Sequence, residues 1–138
     1  YLTGSNVRYV CDRTYELLTH SAAAVVTSGT ATLETALLGV PEFVCYRTSS
    51  LSYAIAKRFA KVKYISLVNL ILNREAVREL IQQDMTPENA EAELRAILPG
   101  GTKHERLKAD YAELRRATGE SGASERTPAE MVRILKNG

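Results

Sequence analysis

Thr30 and Glu34 stand four residues apart, directly behind a Ser28-Gly29 turn. On an α-helix that spacing puts a hydroxyl and a carboxylate on one face, roughly 5–6 Å apart along the axis. A glycine turn that opens a helix leaves the first backbone N–H groups without intrahelical partners and adds the positive end of the helix dipole, so an anion is favoured there. A phosphate fits, held by the turn 28–32 with Ser28, Gly29, Thr30 and Thr32 as its lining. The hydroxyl at the tip and the carboxylate one turn deeper match a diphosphate followed by a ribose diol. A plainer reading uses the same residues: Thr30 caps the helix and Glu34 is a solvated carboxylate that complements the dipole. The local pattern leaves both open.

The elements needed to position such a turn are legible around it. Ser21-Ala-Ala-Ala-Val-Val-Thr27 is short, apolar and β-branched toward its end, as expected for a strand buried on both faces of a parallel sheet. Leu33, Ala36, Leu37 and Val40 then recur at helical spacing, and Gly39 and Pro41 end the pattern. Strands are predicted at Val7–Val10, Ala23–Thr27, Phe43–Tyr46 and Tyr64–Leu67, with helices at about 13–20, 30–38 and 50–60 between them. That alternation predicts an α/β chain with a parallel sheet. Beyond Leu67 no further strand is expected. Asn73 is read as the cap of a helix to about Gln83, and Thr86 with Pro87 opens another to about Leu98. Pro99-Gly100-Gly101 separates it from a helix near 102–118 with the stripe Leu107, Tyr111, Leu114. Thr127-Pro-Ala-Glu130 is a capping box for a last short helix.

Composition narrows the function classes. With 138 residues and 45% hydrophobic content the chain can build one real core. Charged residues make up 25% and the formal net charge is +2, which gives no nucleic-acid footprint. No run approaches ~18 apolar residues and no signal peptide is recognised, so the chain is read as soluble and cytosolic. Cys11 and Cys45 have no Cys or His at metal-ligand spacing and are read as buried free thiols, while His20 and His104 are expected at surface or helix-end positions. Neither a metal site nor a cofactor is expected.

The wording of the central stretch adds a resemblance. SGTATLETALLGVPEFVCYR resembles the nucleotide-sugar-binding segment of lipid-A-disaccharide synthases, inverting glycosyltransferases. Lys63-Tyr-Ile-Ser-Leu-Val-Asn-Leu-Ile71 followed by Asn73-Arg74-Glu75 is similar to the family's Tyr-Ile-Ser-Leu-x-Asn-Leu segment and its Arg-Glu pair, and Gly122-Ala-Ser124 is similar to its C-terminal Gly-Ala-Ser turn. Val68 departs from the family's usual proline. The resemblance implies a two-domain GT-B enzyme in which two Rossmann-like halves face each other. This chain would supply the later part of the donor-binding domain over residues 1–98, with a helical tail over 99–138.

The resemblance further implies that UDP-2,3-diacylglucosamine is joined to 2,3-diacylglucosamine 1-phosphate, with inversion and release of UDP, to form the β-1,6 disaccharide of lipid A. Asn69 follows a strand end, where α/β sheets present ligand residues; it is read as a donor contact or as an Asx turn leaving the strand. Arg74 is placed within reach of the diphosphate or in solvent. The general base is expected in an N-terminal domain outside this chain, so the chain alone is expected to be inactive. Lys57, Arg58, Lys61 and Lys63 crowd a helix end, either complementing its dipole or touching an anionic lipid surface at the inner face of the inner membrane. The exposed edge of Ala23–Thr27 suggests a homodimer or a swapped element. A stand-alone nucleotide-binding module and an oligomerisation module without catalysis are the alternatives.

Overall fold

The computed structural model describes residues 7–27, 29–47 and 63–119. Helix and strand alternate through them: α1 (Thr14–Thr19), β1 (Ala24–Val26), α2 (Thr30–Leu37), β2 (Glu42–Tyr46), α3 (Leu67–Leu72), β3 (Glu79–Ile81), a 3-10 turn (Gln82–Asp84), α4 (Pro87–Ile97) and α5 (His104–Thr118). The three strands pair in parallel in the order β1-β2-β3, with Val26 opposite Val44 and Cys45 opposite Leu80. This is the α/β architecture with a parallel sheet that the alternation predicts, and it is compatible with part of a Rossmann-like half. β2 is the middle strand and stays buried from Glu42 through Cys45, which explains why its sequence lacks polar alternation.

Phe43 and Val44 of β2 meet Val68 of α3, Ile97 of α4 and Leu107, Tyr111 and Leu114 of α5 in one core. The stripe read in α5 is therefore the face that docks, and residues on both sides of position 98 share that core. α2 packs on β1 and β2 and against α3 and α5. Its C-terminal end is held from α5, where the Arg115 Nε and Nη2 groups donate to Leu37 O at 3.2 and 2.8 Å. A cation on the last carbonyls complements the helix dipole. Gly39 turns the chain out of α2 at φ +80°, and a Cβ there would stand 3.1 Å from the Arg115 guanidinium. At α4 the cap follows the sequence reading, with Asn89 N donating to Thr86 Oγ1 at 3.2 Å and Pro87 in the first turn.

Several expectations are corrected. Val7–Val10 is not a strand; Val7 and Tyr9 are 60% and 82% exposed, and among the described residues the segment pairs with no strand. Tyr64–Leu67 is not a strand either. Ser66 makes one parallel bridge to Gly29 and then caps α3, accepting from Asn69 N at 3.3 Å. No helix runs from Asn73 to Gln83: Asn73 ends α3 in the left-handed region at φ +51°, and residues 79–81 form β3. Val77, Leu80 and Ile81 have a spacing that fits a helix as well as a short strand, and pairing with β2 decides between them. Cys11 is exposed rather than buried, whereas Cys45 is buried and its thiol is pushed above its ordinary range by desolvation. His104 opens α5 but is buried, its Nδ1 2.8 Å from Ile97 O. Ser28, the basic residues of the 50–61 stretch, Gly122–Ser124 and the Thr127 capping box lie outside the described residues.

Candidate functional site

The Gly29 turn joins the end of β1 to the start of α2. Gly29 sits at φ +103° and ψ −157°, a conformation that side-chain-bearing residues rarely adopt, and no side chain caps the helix there. The first turn of α2 thus presents backbone N–H groups that the helix itself does not satisfy. Gly29, Thr30 and Ala31 are exposed, and Glu34, one turn on, is partly so. Thr30 and Glu34 share a helix face as their spacing requires.

Thr32 has a different duty from its neighbours. It is fully buried; its hydroxyl donates to Gly29 O at 2.8 Å and accepts from Leu67 N at 3.3 Å. One side chain thereby closes the Gly29 turn on itself and ties it to the start of α3. The Gly29–Ser66 bridge lies beside this tie, so the site is built from two turns, 29–32 and 65–69.

Asn69 belongs to the second turn, and its amide faces inward. Its Nδ2 donates to Val77 O at 2.8 Å and to Glu79 Oε1 at 2.9 Å, while its Oδ1 accepts from Ala76 N at 2.8 Å and Val77 N at 2.9 Å. An amide side chain offers two donors and two acceptor positions, and all four are used. Asn69 accordingly fastens the loop between α3 and β3 and has no hydrogen-bonding capacity left for a ligand in this conformation. Arg74 turns to α5 instead, its Nη1 donating to Asp110 Oδ1 at 2.7 Å and its Nη2 to Glu113 Oε2 at 2.5 Å. These bonds, Asp110 first, hold its guanidinium above its ordinary range. The structure therefore gathers Gly29, Thr32 and the Asn69 turn and leaves Arg74 with a different helix.

Two residues at the site carry no signal in the sequence. The Tyr15 hydroxyl is held above its ordinary range by the charge of Glu34 and then by a hydrogen bond to it, which brings α1 to the carboxylate face of α2. Glu79 of β3 accepts from four donor groups of the second turn. Both pairings join residues distant in sequence, so no spacing rule reports them. Ser66 was findable, since Ser directly before the mostly apolar run Leu67–Leu72 is a helix-start pattern. Among the described residues no group of three His, Cys, Asp or Glu side chains could hold a metal ion, and no helix is long and apolar enough to cross a membrane.

Comparison with known proteins gives this arrangement a family. The model of the lipid-A-disaccharide synthetase family matches residues 4–133. The chain is 40% identical over 130 residues to a lipid-A-disaccharide synthase of Syntrophus aciditrophicus (strain SB), which covers 94% of this chain and 34% of that protein. It is 40% identical over 127 residues to one from Myxococcus xanthus (strain DK1622), covering 91% and 33%, and 36% identical over 121 residues to one from Persephonella marina (strain DSM 14350 / EX-H1), covering 88% and 32%. The chain spans about a third of the length of the curated relatives it matches. With the family match running over nearly its whole length, the chain belongs to the lipid-A-disaccharide synthetase family.

Proposed function

We propose that this chain is the donor-binding part of a glycosyltransferase that joins UDP-2,3-diacylglucosamine to 2,3-diacylglucosamine 1-phosphate with inversion and release of UDP. The observation that carries this reading is the exposed Gly29 turn at the start of α2, with Glu34 one turn deeper on an accessible face. The diphosphate sits on the N–H groups of residues 29–31, since Thr32 N already donates to Gly29 O at 3.3 Å, and Glu34 accepts hydrogen bonds from the ribose hydroxyls. Ser28, which lies outside the described residues, is assigned to the same UDP-sugar site. Thr32 and Asn69 build the site rather than touch the nucleotide, as their engaged hydrogen-bonding groups require.

The chemical task follows from where charge develops. As the glycosidic bond breaks, negative charge grows on the diphosphate, and oriented N–H groups at a helix start oppose it without reorganising. The acceptor's 6-hydroxyl loses its proton to a base that lies outside this chain. The acyl chains of both substrates bring the enzyme to the inner membrane surface as a peripheral protein. Calorimetric titration of the chain with UDP and with UMP tests the reading: UDP binds more tightly because the second phosphate reaches the helix start. Equal affinity for the two nucleotides, or none for either, contradicts it.

A further inference from the structure

Glu79 is the first residue of β3, and its carboxylate gathers the second turn of the site. Oε1 accepts from Ser66 N at 3.0 Å, Ser66 Oγ at 2.8 Å and Asn69 Nδ2 at 2.9 Å, and Ile65 N lies 3.2 Å from Oε1 and 3.0 Å from Oε2. Successive backbone N–H groups that converge in a turn make a concavity suited to an anion. Here the anion is built in. The Ile65 and Ser66 N–H groups are thereby withdrawn from any ligand. The same turn then reaches across to the Gly29 turn through the Gly29–Ser66 bridge and the bond from Leu67 N to Thr32 Oγ1.

We infer that Glu79 is a positioning residue for the donor site, fixing the 65–69 turn so that this turn holds Gly29 and Thr32 in place. The inference rests on the reading of the Gly29 turn as the UDP site. All four groups facing Glu79 are donors, and a carboxylate is acceptor-only, with bonds of this charge-assisted kind stronger than neutral ones. A glutamine of nearly equal size would turn an NH2 group toward one of those donors. The requirement is thus for the carboxylate and not for the volume.

The test is Glu79→Gln in the full chain, read by amide hydrogen exchange and by UDP titration, with Thr32→Val and the double variant beside it. In Glu79→Gln we expect exchange at Gly29, Thr32, Ser66 and Leu67 to quicken about tenfold or more, exchange at Phe43 and Val44 to stay slow, and UDP affinity to fall about tenfold. Because Glu79 acts through the tie between the turns, the double variant loses no more affinity than the weaker-binding single variant. Losses that multiply in the double variant, unchanged exchange at Gly29 and Thr32, or unchanged UDP affinity overturns the inference. Quickening spread evenly over the strands also overturns it, since that marks a general support of the fold. If the unmodified chain binds no UDP, the reading of the site fails, and exchange at Gly29 and Thr32 still decides whether Glu79 holds the turns.

Discussion

Asn69 and Glu34 both stand near strand or turn ends with polar side chains, yet burial gives them different duties. Asn69 is fully buried and hydrogen-bonded at every position, whereas Glu34 keeps part of its carboxylate toward solvent with Tyr15 beside it. Glu34→Gln should therefore leave the thermal midpoint nearly unchanged. It should weaken UDP binding about ten- to a hundred-fold, because charge-assisted bonds of this kind are worth roughly 1.5–3 kcal/mol; calorimetry on the variant reads this directly, and UDP affinity equal to that of the unmodified chain makes Glu34 a plain surface charge. Glu42 is a carboxyl of another kind. It is fully buried in β2, neither oxygen has a hydrogen-bond partner among the described residues, and desolvation pushes it up from an ordinary value of 4.5 to about 9. The Thr35 hydroxyl acts in the opposite direction but donates to Ala31 O at 2.8 Å. Glu42 is thus protonated in the folded chain at neutral pH. Between pH 4.5 and about 9 the folded state keeps a proton that the unfolded state releases. Its contribution is fully present below that window and declines as pH rises through it, by at most about 1.4 kcal/mol per pH unit. Urea unfolding at several pH values should show this decline, and Glu42→Gln should remove it; an identical slope in the variant contradicts the assignment.

The strand-turn-helix unit around Gly29 was readable because its signals are local: β-branched residues, a glycine where φ is positive, and an apolar stripe ended by Gly39. The cap at Thr86 and the docking stripe of α5 were readable for the same reason. β3 was not, since three residues with Leu80 as the one fully buried side chain become a strand through pairing with β2. Val7–Val10 shows the converse, a strand pattern that finds no paired neighbour among the described residues and stays unformed. At the site, the hydroxyl, glycine and carboxylate of α2 were legible, while the inward turn of Asn69 and the roles of Tyr15 and Glu79 depend on partners 7 to 19 residues away. The Gly29 turn also yields a test at its own scale. A Cβ at Gly29 would meet nothing within 4 Å, so the cost of Gly29→Ala is conformational, about 1–3 kcal/mol for a side-chain-bearing residue held at positive φ. Gly29→Val should lose at least as much stability and lose UDP binding as well, because its branched side chain would stand at the proposed phosphate site. Denaturant unfolding and UDP titration of the two variants check this, and an undiminished stability in Gly29→Ala would contradict the conformation assigned to the turn.

Across the whole molecule, β1 lies at one end of the described sheet, and Val25 on it is 57% exposed; Tyr15 and Leu17 of α1 are exposed as well. An apolar strand with a free edge invites pairing with another chain. We expect the chain to form dimers at high concentration by light scattering, and a monomer at every concentration tested would count against the open edge. The sheet also sets the site, since β1 delivers the Gly29 turn to the start of α2 while α3 and β3 hold the second turn against it. The most direct test of the donor site is to follow backbone amide resonances of the chain while UDP is added. The largest shifts should fall on Gly29, Thr30, Ala31 and Thr32, with smaller ones at Ser66 and Leu67. Shifts confined to other segments, such as 75–78 with 103–107, or no shifts at saturating UDP, would contradict the assignment of the Gly29 turn as the nucleotide site.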